Sequence, residues 1–168
     1  MQEIFSRRSI RNFEDRKVER EKVNRLLEAA MQAPSAQNQR EWTFVVVDDK
    51  QELMVLSRVS PYSGMVAKSP VTIVVLCDTA RLAVPEIWQQ DMAACTENIL
   101  LEAVHLGLGA CWMGIAPSQE RMDAVAKIVG APPSVKVFGM VSVGYPAEGK
   151  ENRFIDRFDR NAIHLNRW

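Results

Sequence analysis

The sequence is poor in the side chains that most enzymes use for catalysis. Its 168 residues include two histidines and three cysteines, and Cys77, Cys95 and Cys111 form no C-x-x-C pair. This content predicts neither a disulfide framework nor a metal site, and it leaves little material for a histidine-based triad. If the protein is an enzyme, a cofactor would therefore have to supply the demanding chemistry. We expect no catalytic side chain in the protein itself.

The chain also lacks long apolar runs and a net charge. No stretch approaches the roughly 20 apolar residues that cross a bilayer, and the first residues lack the apolar core of a secretory signal. The 21 basic and 21 acidic residues cancel, so no overall field favours nucleic acid or an anionic membrane. These features predict a cytoplasmic protein without a nucleic-acid or membrane partner, in which any anion binding is local.

Hydrophobic periodicity predicts a single domain of alternating helices and strands. A chain of 168 residues with 47% apolar content is long enough for one well-packed core and short for two. The predicted helices cover about residues 2–7, 19–33, 51–59, 85–106 and 118–129. The predicted strands cover residues 43–47, 71–77, 110–115 and 135–145. The strands are almost wholly apolar, and we expect the first to be buried on both faces. Apolar strands fit a parallel or an antiparallel sheet, so the direction of the strands stays open. The fold is therefore α/β or α+β.

The C-terminal tail, about residues 146–168, has no helical or strand periodicity but contains many large apolar side chains. These are Phe154, Ile155, Phe158, Ile163, Leu165 and Trp168. A segment of this composition is too apolar to remain in water. We expect it to cover either the surface of its own chain or a second subunit.

A basic cluster at residues 6–13 is the clearest sign of a binding site. Its sequence, SRRSIRNF, places Arg7, Arg8 and Arg11 beside two serines. Guanidinium groups bind phosphate as planar, bidentate forks, and hydroxyls can add further hydrogen bonds. Taken alone, the cluster fits a local phosphate site or a solvated basic end.

Three further features have simpler explanations than catalysis. The Gly-Leu-Gly of residues 107–109 follows a predicted helix and precedes a strand, which reverses the dinucleotide-binding pattern and indicates a helix end and a tight strand entry. Cys111 has apolar neighbours and no histidine close in sequence, which favours a small buried side chain over a nucleophile. His105 is interpreted as a core or boundary residue, and Asp91 and Glu97 lie on different faces of their helix.

Four stretches occur together in a characteristic order and spacing. They are SRRSIRNF at 6–13, APSAQNQREW at 33–42, GLGACWMG at 107–114, and GYPAE at 144–148 followed by an arginine-bearing tail. Over nearly the whole chain they resemble the nitroreductase family of flavin-dependent oxidoreductases. The resemblance implies an α+β fold with a central, mainly antiparallel sheet flanked by helices. It also implies an intertwined homodimer with one FMN in each of two interface sites.

The resemblance assigns three groups of FMN contacts. The phosphate and ribityl chain would be held by Arg7, Arg8, Ser9 and Arg11. Arg157, in the tail, would complete the phosphate site, with Arg153 as a nearby competitor. The isoalloxazine ring would contact residues of the other subunit, namely Pro34, Ser35 and Asn38. Its reactive edge would be lined by Trp112, Met113 and Gly114, with backbone N–H groups facing the flavin.

Two departures from the family pattern stand out. Where the family often has Gln-Pro before the tryptophan, this chain has Arg40-Glu41. The chain is also short for the family, which implies that the insertions covering the substrate elsewhere are reduced here.

The resemblance implies an oxidoreductase in which NADH or NADPH delivers a hydride to FMN in a ping-pong reaction. A nitroaromatic, a quinone or another electron-poor compound would then take the electrons in the same pocket. The alternatives are an FMN-binding protein without turnover, a flavin-fragmenting or dehalogenating relative, and an unrelated α/β domain. The specialised relatives need a large lid, for which residues 60–70 and 80–90 are short.

Overall fold

The computed structural model describes residues 2–168, and every helix and strand predicted from periodicity is present. The helices are α1 (Gln2–Ser6), α2 (Arg20–Ala30), α3 (Lys50–Leu56), α4 (Trp88–His105) and α5 (Gln119–Val129). The strands are β1 (Trp42–Val47), β2 (Val71–Asp78), β3 (Gly109–Gly114) and β4 (Val135–Gly144). Short 3-10 turns lie in several of the connections.

The largest boundary differences are at the ends of helices. The predicted second helix was too long, because α2 ends at Ala30 and Met31 takes the cap position before Pro34 is reached. Pro85 lies in a separate 3-10 turn, so α4 begins at Trp88 and contains 18 residues. None of the helices within residues 2–168 is both long and apolar enough to cross a membrane.

The four strands form one sheet in the order β1-β2-β4-β3. All three pairings are antiparallel, which confirms the strand direction implied by the resemblance and identifies an α+β fold. Strands β2 and β4 are central and almost entirely buried. The expectation that residues 43–47 are buried on both faces was wrong, since Val46 is 40% exposed in an edge strand that fewer side chains cover.

Helix α4 supplies much of the core. Its fully buried residues Met92, Cys95, Ile99 and Ala103 form a stripe, and the helix packs against α2 and against the sheet. His105, at its last turn, is exposed, so its interpretation as a core or boundary residue was wrong. Its ring nitrogen Nδ1 lies 3.4 Å from a carboxylate oxygen of Glu3 on α1.

The Gly-Leu-Gly of residues 107–109 ends α4 and begins β3, as predicted. Gly107 adopts a φ of 73°, a left-handed conformation that costs glycine no steric strain. At Gly109 an added Cβ would lie 2.7 Å from the side chain of Ile10. The absence of a side chain at Gly109 therefore lets the N-terminal segment approach the start of β3.

Candidate functional site

The basic cluster is fixed to the outer edge of the sheet. Ser9 pairs with Ala110 in a parallel bridge, and Ile10 N donates to Ala110 O at 3.0 Å. Ile10 is itself buried, at the close approach to Gly109. The arginines at positions 7, 8 and 11 consequently flank β3.

The Gly-Tyr-Pro-Ala-Glu segment, residues 144–148, holds the far end of the same cluster. Glu14 N donates to Tyr145 O at 2.9 Å, and Ala147 N donates to Asn12 O at 3.1 Å. These bonds continue the pairing of β4 past its last residue. The segment therefore holds the C-terminal end of the cluster in place.

The Tyr145 hydroxyl fastens this segment to the start of α2. It donates to Glu19 Oε2 at 2.6 Å and accepts from Lys22 Nζ at 3.0 Å. The Arg16 guanidinium carbon lies 3.7 Å from the centre of the tyrosine ring. The hydrogen bond from Tyr145 is the main cause that lowers the pKa of Glu19 to about 2.

Four arginines carry positive charge into one region. Burial lowers the pKa of Arg8, and the charges of Arg157, Arg7 and Arg153 lower it further, in that order. Within residues 2–168 a single carboxylate, that of Glu97, pairs with any of the four, at 3.4 Å from Arg7 Nε. Arg8 Nε is buried and has no hydrogen-bond partner in the described chain. This concentration of uncompensated cations suits an anionic ligand.

Asn152 attaches the tail to the cluster. Its Oδ1 accepts from Arg8 N at 3.0 Å, and its Nδ2 donates to Leu108 O at 3.0 Å. This anchor brings the two tail arginines toward Arg8. Sequence reasoning missed Asn152, because a single amide in a polar tail has no periodic or motif signal.

A cavity of about 500 Å³ opens beside β3. Four residues predicted to contact the flavin line it, namely Arg11, Trp112, Met113 and Gly114. Its other lining residues are Ser60, Tyr62, Met65 and Cys111. Ser60, Tyr62 and Met65 follow α3, and sequence reasoning did not predict them as site residues. The tyrosine within the loop sequence Ser-Pro-Tyr-Ser-Gly was the feature that could have indicated them.

Strand β3 presents backbone donors at this edge of the sheet. Ala110 O accepts from Ile10 and so points away from β4, and alternate residues of an antiparallel strand point the same way. The N–H groups of Trp112 and Gly114 therefore also point away from β4. Ile115 N, out of phase with them, donates to Phe138 O of β4 at 3.2 Å.

The Trp112 indole covers the neighbouring strand. Its ring lies 5.5 Å from that of Phe138 and occupies the space that a side chain at Gly139 would fill. Indole Nε1 is buried without an acceptor in residues 2–168. Trp112 thus forms a rigid wall of the cavity.

Cys111 is buried, as predicted. Burial raises the pKa of its thiol, and the charge of Arg11, a hydrogen bond with Ser9 and the charge of Arg7 oppose this shift. A buried neutral thiol is a poor nucleophile.

The polar loop at residues 34–40 does not line the 500 Å³ cavity of its own chain. Gln37, Asn38 and Arg40 all have positive φ angles, between 46° and 54°. Gln39 holds this uncommon backbone, since its Oε1 accepts from Ala83 N and Val84 N at 2.9 and 3.0 Å. Sequence reasoning missed Gln39, because Ala83 and Val84 lie more than 40 residues away from it.

Fold and site together define a cofactor-binding α+β protein, and comparison with known proteins gives its family. The nitroreductase family model matches residues 4–69 and 56–145. The chain belongs to the nitroreductase family.

Several relatives resemble it over most or all of their length. A Methanothermobacter thermautotrophicus protein, provisionally named NADH dehydrogenase/NAD(P)H nitroreductase, is 40% identical, with 100% of this chain and 87% of the relative covered. A Clostridium acetobutylicum structure, provisionally named NADH oxidase, is 47% identical, with a TM-score of 0.96 and 99% of each chain covered. An FMN-dependent nitroreductase from Clostridium difficile is 30% identical, with a TM-score of 0.91 and 100% of each chain covered.

Tyr145→Phe should raise the pKa of Glu19 from about 2 toward its ordinary 4.5, because the hydroxyl hydrogen bond is lost. A carboxylate whose pKa is lowered by folding stabilises the protein above pH 4.5, and this contribution is lost as the pH falls through about 2. The variant should therefore be less stable than wild type at neutral pH and should approach it in acid. NMR titration and urea unfolding at several pH values measure both effects.

Tyr62→Phe is the matched control for this prediction, because Tyr62 is 74% exposed and is the only other tyrosine. An equal effect of the two substitutions on the pKa of Glu19 would contradict the structural role of Tyr145.

Proposed function

We propose that the protein is an FMN-dependent oxidoreductase that uses NADH or NADPH to reduce nitroaromatics, quinones or other electron-poor compounds. Membership of the nitroreductase family and the names of its relatives support this function. The observation that carries it is a group of four arginines with one paired carboxylate among residues 2–168, beside a cavity edged by backbone N–H groups that point away from β4. Bound FMN would supply the redox chemistry, as acceptor of a hydride and donor of electrons to the second substrate.

The arginine cluster fits the phosphate end of FMN. We assign Arg7, Arg8, Ser9 and Arg11 to the phosphate and ribityl chain, and Arg157 to the completion of the phosphate site. Arg157 acts on Arg8 more strongly than Arg153 does, which supports this choice between the two. Charge-assisted hydrogen bonds are roughly twice as strong as neutral ones, and a phosphate would give the buried Arg8 Nε the partner it lacks.

The β3 edge fits the polar rim of a flavin ring. Trp112 N–H and Gly114 N–H are fixed donors on a sheet, which places them more rigidly than side chains would be, and Met113 adds apolar surface. The lining residues include neither a carboxylate nor a histidine. In this proposal no side chain need act as acid or base, and water or a solvent-exposed group supplies the protons.

A homodimer accounts for the surfaces that the single chain leaves exposed. After Asn152 the tail makes no hydrogen bond to the rest of the described chain, and Trp168 at its end is 100% exposed. Pro34 and Asn38, assigned with Ser35 to the ring of the partner's FMN, are also exposed. We infer that the tail clasps a second subunit and that each site draws residues from both chains.

We also infer a single domain over residues 1–168 and a cytoplasmic location. Helices α2 to α5 and the four strands contribute side chains to one continuous core, with the tail outside it. All three cysteines are buried free thiols, as expected of a protein from a reducing compartment.

The direct test is anaerobic reduction of the FMN-reconstituted protein by NADH and by NADPH. Loss of the flavin's visible absorbance with either donor, and its return on addition of a quinone or nitroaromatic, is the expected result. Bound FMN that neither donor reduces would indicate an FMN-binding protein without turnover. Failure to take up FMN would reject the proposal altogether.

Arg8→Ala and Arg11→Ala should each weaken FMN binding by about tenfold or more, because each removes a charge-assisted contact to the phosphate or ribityl chain. The dimer should persist in both variants. Fluorescence titration of FMN and sedimentation velocity measure the two properties. The control is Arg20→Ala, because Arg20 is exposed and forms no ion pair within residues 2–168. Loss of the dimer with FMN still bound would contradict the assignment.

Phe154→Ser combined with Phe158→Ser should convert the dimer to monomer, because both side chains are more than 60% exposed in the single chain and need a covering surface. FMN affinity should fall with dimerisation. Light scattering after size exclusion gives the mass. Asn161→Ser in the same tail is the control, and a dimer that survives the double substitution would show that the tail covers something else.

A further inference from the structure

Two buried acidic side chains meet beneath the polar loop. Glu41, directly before β1, is fully buried, and Asp91 on α4 is 6% exposed. Gln39 Nε2 donates to both, at 3.1 Å to Glu41 Oε1 and at 2.8 Å to Asp91 Oδ2. Both carboxyl groups therefore lie within hydrogen-bond distance of one nitrogen. Sequence reasoning missed this pair, which joins residues 50 positions apart.

The two carboxyl groups differ in how their oxygens are satisfied. Asp91 Oδ2 accepts from Gln39 and also from Ala36 N at 2.9 Å. Glu41 Oε2 is buried and has no hydrogen-bond partner within residues 2–168. A buried oxygen without a donor is costly as an acceptor, but a proton would turn it into a donor.

No cation compensates the pair. Within the described chain neither Glu41 nor Asp91 is within salt-bridge distance of a lysine, an arginine or a histidine. Two uncompensated negative charges at such close range in a buried site repel strongly, whereas a pair that shares one proton does not.

We propose that Glu41 is protonated in the folded protein and donates a hydrogen bond to Asp91, so that this proton ties the polar loop to α4. Glu41 is thereby a positioning residue for Pro34, Ser35 and Asn38. The importance of Glu41 for FMN binding rests on the proposed function. The protonation of Glu41 does not depend on that function.

Electrostatics around Glu41 agree with this protonation. Burial raises the pKa of Glu41, and Asp91 raises the pKa further, through its charge and as an acceptor for a proton on Glu41. Its own backbone and Gln39 lower the pKa in part. Cys77 of β2 and Cys95 of α4 also face it, and burial is the main cause that raises the pKa of both thiols to about 12, so they supply no countercharge that acidifies Glu41.

The nearby basic residues face elsewhere. Lys136 of β4 acts on Cys77 but is not among the groups that shift the pKa of Glu41. Arg40 is exposed, and Arg81 pairs with Asp78 at 3.3 Å. Asp78 meets Glu41 through the main chain, where its N–H donates to Glu41 O at 2.7 Å.

The first test follows the Glu41 proton directly in cofactor-free protein. NMR of protein labelled with ¹³C at the glutamate carboxyl carbon should show Glu41, identified by its absence in Glu41→Gln, still protonated well above pH 4.5, its ordinary pKa. The exposed Glu86, identified with Glu86→Gln, is the reference. A Glu41 signal that titrates together with Glu86 would overturn the proposal.

Asp91→Asn separates a shared proton from burial alone. Loss of the neighbouring negative charge should move the Glu41 titration to lower pH than in wild type. An unchanged titration would show that Asp91 does not share the proton, and it would overturn the proposal even if Glu41 is protonated.

The pH dependence of the free energy of unfolding also tests whether Glu41 is protonated. Because folding raises the pKa of Glu41, its contribution is complete below pH 4.5 and is lost as the pH rises through the folded-state pKa. The Glu41→Gln side chain cannot ionise. As the pH rises from 4.5 through the folded-state pKa of Glu41, this variant should therefore gain stability relative to wild type, whereas Glu86→Gln should follow wild type. Parallel curves for Glu41→Gln and wild type would contradict the protonated state.

Hydrogen exchange at Ala36 tests the tie to the loop. Its N–H donates to Asp91, so its protection should weaken in wild type as Glu41 loses its proton and should persist in Glu41→Gln, after correction for the intrinsic pH dependence of exchange. Equal protection in both proteins would reject the positioning role. Failure of wild type to bind FMN would reject the proposed function and leave these four tests valid.

Discussion

The pairing of residues 9 and 10 with the outer edge of β3 is the contact on which the rest of the site depends. It needs a glycine at position 109, because Ile10 occupies the space of a side chain there. It places the basic cluster beside the cavity, and it fixes the direction in which the free N–H groups of β3 point. Asn152 then attaches the tail to the same point, so cations from both ends of the chain converge.

A protein of zero formal charge can still concentrate positive charge where a ligand needs it. Arg8 lies near three other arginines, and their mutual repulsion is a cost that the fold tolerates when an anion fills the cluster. The cavity beside it has the opposite character, with a rigid aromatic wall and neutral lining residues around Arg11. Charge at one end and apolar surface at the other match a ligand with a phosphate and a flat ring.

The polar loop shows how a departure from the family pattern can be accommodated. Glu41 stands where the family often has proline, whose ring restricts φ without any partner. Here the uncommon backbone of the loop is held by Gln39, which connects it to both carboxyl groups and to residues 83–84. Hydrogen bonds therefore fix the loop. Because the two carboxyl groups take part in them, the stability of the loop depends on the protonation of this pair.

Local sequence determined the helices and strands, the left-handed glycine at 107 and the basic cluster, because period, capping and charge are properties of neighbouring residues. Family motifs added the antiparallel sheet and the residues proposed to contact FMN. Tertiary structure alone decided that Tyr62 borders the cavity, that Asn152 anchors the tail and that Glu41 meets Asp91. These contacts join residues far apart in the chain, and no spacing rule relates such residues before the sheet and α4 bring them together.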